Sequence, residues 1–285
     1  MSVKIIADPG SCWRATPEEL LWRGKLRFRR LIEATAASGA NTFKPQYLRR
    51  TVYPEGSAES ELVAGYEWPP EWIPWMKEEC EIRGLEFGCT IYEPEHVPII
   101  DPYVPFFKIS SFEAQRPDLL QAVAATGKPL IISTGMANWE DAIAAVRTVV
   151  GIDWVCATYL HCASAYPARP EQMNLLAMPH PNRLGEWGLS DHTIRTTAAV
   201  MAVALGATVI ESHIRTKDVL TGPDAHFARD PDQFTQYVNA IREAETMRGD
   251  GIKKPQEGEW TWAKWQVETG KRGTQSSQSE AKGIS

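Results

Sequence analysis

Apolar and polar positions over the first 250 residues alternate between two patterns. Short runs rich in β-branched residues are followed by longer stretches in which apolar residues recur every three to four positions. Residues 3–7 predict a first strand, 17–37 a helix and 42–46 a second strand. A Trp-rich helix over 72–83, a strand over 85–90, a short element near 94–100 and a strand over 106–109 come next. The second half predicts helix 117–125, strand 129–133, helix 139–149, strand 158–161, strand 184–189, helix 196–205, strand 208–213 and helix 231–247. Eight strands alternating with helices spell an α/β fold, a (β/α)8 TIM barrel, since parallel neighbours need a crossover and a helix is the usual one.

Two segments break the alternation. Residues 47–70 carry Pro, Gly, Ser, Glu and aromatic residues without clear periodicity and follow strand two on the presumed ligand face. They read as a lid or substrate loop, or equally as a loop packing on a neighbouring subunit. Residues 251–285 form a polar, partly Trp-rich tail that cannot bury a core, and its end is expected to be disordered. Trp260, Trp262 and Trp265 are its candidate docking residues. The domain boundary is therefore expected near residue 250.

Composition narrows the function class. With 43% hydrophobic and 23% charged residues and a net charge of -6, the chain gives no reason to expect nucleic acid binding. The basic run Arg23 to Arg30 is interleaved with Leu26 and Phe28 and reads as the solvated face of the first helix. No segment is apolar enough for a signal peptide or a membrane span, which predicts a cytoplasmic protein. Cys12, Cys80, Cys89, Cys156 and Cys162 lack metal-site spacing and are expected to be reduced and partly buried, with Cys12 set apart as a residue of the ligand face.

Candidate chemistry gathers at the predicted strand ends, which in parallel α/β folds form the ligand face. His192 and His213 end adjacent strands and suit a divalent metal with open positions, although each alone would read as a hydrogen-bonded structural histidine. Lys44 and Gln46 close strand two, and Lys108, Ser111 and Glu113 lie at or past the end of strand four. Ser133, Thr134 and Gly135 close strand five, Ser164 and Tyr166 follow strand six, Ser190 precedes His192, and Asp224 lies after strand eight. Two lysines and several hydroxyls on one face suit a phosphorylated, anionic substrate.

Five strings, Lys108-Ile-Ser-Ser-Phe-Glu113, Lys128-Pro-Leu-Ile-Ile-Ser-Thr-Gly-Met136, Leu160-His-Cys-Ala-Ser-Ala-Tyr-Pro167, Gly188-Leu-Ser-Asp-His-Thr193 and Gly222-Pro-Asp224, appear in that order. In them the chain resembles the sialic acid synthase (N-acetylneuraminate synthase) family. The resemblance spans about residues 3 to 247 and implies condensation of phosphoenolpyruvate with the open-chain aldehyde of an N-acylated hexosamine. It implies a 2-keto sugar acid and phosphate as products, Mn2+ or Mg2+ as cofactor, and a homodimer. It further implies His192 and His213 as metal ligands, and Lys44, Lys108, Ser111, Ser133, Ser164 and Ser190 as substrate-binding groups, with Gln46 among them on the sugar side. Asp8, Glu113, Tyr166 and Asp224 take sugar-contacting or proton-handling positions.

The first strand departs from the family pattern. Ala-Glu-Ile-Gly followed by Asn-His-x-Gly is usual there, whereas this chain has Ala7-Asp-Pro-Gly10 followed by Ser-Cys-Trp-Arg14. Asp8 keeps the charge on a shorter arm. Ser164 stands where an amide is common. A C-terminal antifreeze-like domain, typical of the family, is expected to be absent from the chain, which leaves the barrel alone. Two other functions stay open at this point: a noncatalytic binding or assembly barrel, and a metal-dependent aldolase that uses pyruvate.

Overall fold

The computed structural model describes residues 2–141, 144, 157–178, 185–254 and 256–270. Among them are nine strands, all parallel, in the order β3-β2-β1-β9-β8-β7-β6-β5-β4. These are β1 (Lys4–Asp8), β2 (Thr42–Phe43), β3 (Glu86–Phe87), β4 (Cys89–Ile91), β5 (Phe107–Ile109), β6 (Leu130–Ser133), β7 (Ala157–Cys162), β8 (Glu186–Asp191) and β9 (Val209–His213). The two ends of the sheet, β3 and β4, are consecutive stretches of one chain segment parted by Gly88 alone. The sheet therefore closes on itself as an eight-stave barrel, with the predicted strand 85–90 split in two. The break has a steric reason: a Cβ at Gly88 would stand 2.6 Å from the Phe106 ring, so only glycine lets that ring plug the barrel.

Strand two is shorter than expected because Pro45 cannot donate to the ladder, and pairing resumes as a single bridge between Gln46 and Thr90. Inside the barrel Ile6, Phe106, Ile131, Leu160 and Val209 form an apolar floor. Around it the outward strand faces pack on helices in a second, larger core, where Phe28, Leu31 and Ile32 of helix Leu21–Ser38 meet Phe43, Ile73 and Met76. Each large side chain buried there contributes about 1.5–3 kcal/mol. Strand periodicity does the rest: Asp8, Lys108, Ser133, Ser190 and Glu211 lie two residues beyond Ile6, Phe106, Ile131, Gly188 and Val209 respectively, so they share the interior face one layer above the floor.

Several expectations need correction. Arg27 is not a solvated residue: it is buried and its guanidinium pairs with Glu19 and, at 2.9 Å, with Asp218, while Arg23, Arg29 and Arg30 are exposed. Cys12 does not face the ligand side; it is fully buried among Val219, Ala225 and Ala228. Cys80, Cys89 and Cys162 are buried free thiols, and Cys156 lies outside the described residues. Residues 47–70 are not irregular throughout, since they contain a 3-10 turn at Arg50–Val52 and helix Ala58–Ala64, capped by Ser57 Oγ accepting from Ser60 N at 3.1 Å. Of the predicted helix 139–149 only 139–141 and 144 are described.

The chain divides into two compact units, Met1–Arg248 and Gly249–Ser285. The second holds a 3-10 turn at Glu257–Glu259 and helix Trp260–Glu268, and residues 271–285, where disorder is expected, lie outside the described residues. No described helix is long and apolar enough to cross a membrane.

Candidate active site

A cavity of about 300 Å³ opens at the carboxyl ends of the strands. At its base Lys44 and Lys108 stand on either side of Glu211, with their Nζ atoms 3.5 and 3.6 Å from the two carboxylate oxygens, and all three are buried. Lys44 donates to Asp8 Oδ2 at 2.7 Å and to Thr90 Oγ1 at 2.6 Å. Lys108 donates to Ser133 Oγ at 2.7 Å, and Ser190 Oγ donates to Glu211 Oε1 at 3.0 Å. Asp8 also accepts from Gln46 Nε2 at 3.0 Å and from Gly10 N at 2.7 Å, so the altered first turn keeps its carboxylate inside the network.

Burial works against every charge in this cluster, and the partners decide the outcome. For Asp8 and Glu211 burial raises the pKa, but Lys44 and His213 around Asp8, and Lys108 and Lys44 around Glu211, outweigh it and hold both carboxyls below their ordinary range. The lysines differ. Burial lowers both, yet Asp8 and Glu211 carry Lys44 above its ordinary value, whereas Lys108, with only Glu211 close and Lys44 repelling it, ends below. Lys108 is thus the under-neutralised cation of the pair, the one an anion would benefit most.

Above this base His192 and His213 face each other with ring centroids 5.5 Å apart. His192 Nδ1 lies 3.2 Å from Ala163 O and 3.7 Å from Cys162 Sγ, which leaves Nε2 for another partner. His213 Nδ1 is buried without a hydrogen-bond partner among the described residues. A Cβ at Gly10, where φ is +50°, would lie 2.9 Å from that nitrogen and 2.4 Å from Asp224 Oδ2, so glycine makes room where the imidazole and the carboxylate converge. Asp224 Oδ2 is held by Ser11 N at 2.7 Å. No three His, Cys, Asp or Glu side chains among the described residues form a ready-made cage. The donor set nevertheless fits a divalent cation that takes two imidazole nitrogens and fills its remaining positions with water and substrate oxygens, because the unpartnered buried nitrogen costs free energy as it stands.

Most sequence-predicted residues converge here: Asp8, Lys44, Gln46, Lys108, Ser111, Ser133, Tyr166, Ser190, His192, His213 and Asp224 all line the cavity. Ser111 Oγ accepts from Gly135 N at 3.0 Å. Four do not line it: Gly135, whose N–H is the donor to Ser111; Thr134, which is buried and donates to Leu160 O; Ser164, whose Oγ is 3.8 Å from Cys162 Sγ; and Glu113, which is buried and accepts from Ser110 Oγ. Sequence reasoning missed Glu211, although it lies two residues before His213 on the same strand and so must share its face. It also missed Cys162, Tyr53, Tyr66, Tyr92 and Phe112, which line the walls. Residues 47–70 supply Leu48, Tyr53, Leu62, Val63 and Tyr66 to that lining.

Burial raises the Glu113 pKa above the usual carboxyl range, more than the Ser110 hydrogen bond lowers it. A carboxyl shifted in this direction binds more protons folded than unfolded, so it subtracts stability as pH rises through the unfolded value of about 4.3. Glu113→Gln is therefore expected to raise the melting temperature by about 2–4 °C at pH 8 and leave it unchanged at pH 4. Circular dichroism melts check this; a lower melting temperature at pH 8 would mean that the fold needs the carboxylate.

A family model described as the NeuB family matches residues 31–253, most of the barrel. The chain belongs to the NeuB family. Among its relatives, an uncharacterized protein of Methanocaldococcus jannaschii is 36% identical over 80% of this chain and 69% of its own length. The N,N'-diacetyllegionaminic acid synthase of Legionella pneumophila is 34% identical over 76% of this chain and 62% of its own. In structure, the spore coat polysaccharide biosynthesis protein SpsE of Bacillus subtilis matches with a TM-score of 0.74 at 31% identity, covering 89% of this chain and 71% of that one. The N-acetylneuraminic acid synthetase of Leptospira borgpetersenii matches with a TM-score of 0.84 over 95% and 94%, and at 24% identity it shows the shared barrel alone. Within the NeuB barrel the lysine, serine and histidine positions described above are those at the strand ends, while the loop-borne walls carry Tyr53, Tyr66 and Phe112.

Proposed function

We propose that this barrel condenses phosphoenolpyruvate with the open-chain aldehyde of an amino sugar to give a 2-keto sugar acid and inorganic phosphate. The observation that carries the reading is the buried Lys44–Glu211–Lys108 cluster beneath His192 and His213. Two ammonium groups, one of them under-neutralised, with Ser111, Ser133 and Ser190 around them, suit the carboxylate and phosphate of one small dianionic or trianionic substrate. Pyruvate alone would bring the two ammonium groups a single carboxylate and no phosphate.

With phosphoenolpyruvate held there, its enol carbon bonds to the aldehyde carbon and the aldehyde oxygen takes a proton to become a hydroxyl. Water adds to C2, the bond from C2 to the phosphate oxygen breaks, and a keto group and phosphate result. The overall change consumes one water, whose two protons end on the new hydroxyl and on phosphate. Lys44 and Lys108 fix the anion and offset charge as it shifts toward the leaving phosphate. Asp8, Gln46 and Asp224 offer acceptors and donors to sugar hydroxyls, and the Tyr166 ring, tilted 52° to that of His192 with centroids 4.5 Å apart, forms the outer wall. A divalent cation on His192 and His213, when bound, would polarise the aldehyde.

Phosphate release from phosphoenolpyruvate with Mn2+ is the test, across aldoses that include N-acetylmannosamine and its 6-phosphate. Release that depends on one amino sugar is the expected result and names the acceptor. A barrel that binds phosphoenolpyruvate but releases phosphate with no sugar would overturn the proposal in favour of a binding or assembly role.

A further inference from the structure

The hydrogen-bonded ladder between β8 and β9 ends at Asp191 and Ser212, one residue short of both histidines. His213 is still paired, to Asp8 of β1, but nothing in the β8–β9 ladder sets the position of His192 against it. What bridges the two strand ends is Arg229. Its peptide N–H donates to His213 O at 3.0 Å and its Nη1 donates to Ser212 Oγ. Its Nη2 reaches the chain after His192, donating to Thr193 O at 2.8 Å and Arg195 O at 3.2 Å. One guanidinium thus grips the flanks of both imidazoles.

The guanidinium is itself locked. It stacks over the Tyr237 ring at 3.9 Å and pairs with Asp191 Oδ2 at 3.3 Å. Tyr237 OH donates to the same oxygen at 2.8 Å, Asp191 Oδ1 accepts from Thr193 N at 2.8 Å, and Ser212 Oγ donates to Asp191 O at 3.1 Å. Asp191, Ser212, Arg229 and Tyr237 are all buried, on the outward side of the strands, away from the cavity. A buried ion pair adds little stability over an apolar pair of the same volume, so its value here lies in fixed directions. The planar fork supplies them, and a lysine could not.

We infer that Arg229, locked by Asp191 and Tyr237, is a positioning residue that sets the spacing of His192 and His213 for the divalent cation. The inference rests on the metal reading proposed above, and the experiment separates the two. The full chain, Arg229→Lys and Tyr237→Phe are titrated with Mn2+ by electron paramagnetic resonance of the free ion. Visible spectra of the Co2+-loaded proteins, melting curves, and kcat and KM for phosphoenolpyruvate complete the comparison.

Arg229→Lys is expected to weaken Mn2+ binding by about 10- to 100-fold, to change the Co2+ spectrum, and to lower kcat more than it raises KM. Tyr237→Phe, which keeps the ring and loses one hydrogen bond, is expected to do the same to a smaller degree while melting like the parent chain. It decides the matter if Arg229→Lys does not fold. Parental Mn2+ affinity in the folded variants, or weaker binding with an unchanged Co2+ spectrum, would overturn the inference. A parent chain that binds no Mn2+ overturns both this and the metal reading, whereas one that binds Mn2+ without releasing phosphate overturns only the condensation.

Discussion

Lys108→Met is expected to cut phosphate release from phosphoenolpyruvate by about 10²- to 10³-fold while the barrel melts close to its parental temperature. The two halves of this expectation have separate causes. Lys108 is the cation that burial pushes below its ordinary pKa and that Glu211 neutralises only from 3.6 Å, so its charge costs free energy that an anion bound as proposed would offset. Removing the charge loses that interaction with substrate. The apolar stem of methionine fills the same space over the apolar floor, next to Phe106 and Ile131 in sequence register, and Glu211 keeps Lys44 and the Ser190 hydroxyl. Colorimetric phosphate release at saturating sugar, beside a melting curve, measures both. Activity above a tenth of the parental value would remove Lys108 from the anchoring role, and a collapsed melting curve would mean that the lysine belongs to the fold.

Strand chemistry was readable in the sequence because its geometry is local. Once 129–133 or 208–213 is seen as a strand, its period of two says which side chains share a face, and Lys108, Ser133, Ser190 and His213 follow from counting. The same count places Glu211 on the face of His213, two residues before it. Loop-borne residues were not available in this way. Tyr53 reaches the cavity because Arg50–Val52 and Ala58–Ala64 fold the segment back, and Trp68 pins it by donating to Gln46 O at 3.0 Å, a contact between residues that no periodicity links. Cys12 illustrates the opposite error. It does follow β1 at the ligand end, but the left-handed backbone at Gly10 turns the chain so that the thiol packs under the loop carrying Val219 and Ala225. Arg229 and Tyr237 were equally hidden, because their role depends on helix Pro231–Arg248 lying against the outward face of β8 and β9.

Glu211→Gln is expected to be the most damaging single change in the cluster, costing about 3–5 kcal/mol of stability together with nearly all activity, because it leaves buried cations without their shared counter-charge. Lys44 would retain Asp8 at 2.7 Å; Lys108 would keep only hydroxyl and carbonyl partners, Ser133 Oγ and Ile109 O. The pH dependence carries the signature. A lysine whose folded pKa lies below its unfolded value of about 10.4 binds fewer protons folded than unfolded, so stability rises as pH climbs between the two values. The deficit of Glu211→Gln relative to the parent should therefore shrink from pH 7 toward pH 10, as Lys108 gives up its proton. The parent should show the opposite limb: Asp8 and Glu211 are held below their ordinary values, so their contribution is complete above about pH 4.3 and is lost as pH falls through the lowered folded values. Denaturant titrations of both proteins at several pH values read these slopes directly. A deficit that stays constant from pH 7 to pH 10 would show that Lys108 carries no proton that Glu211 needs to balance, and the buried anion would then serve Lys44 alone.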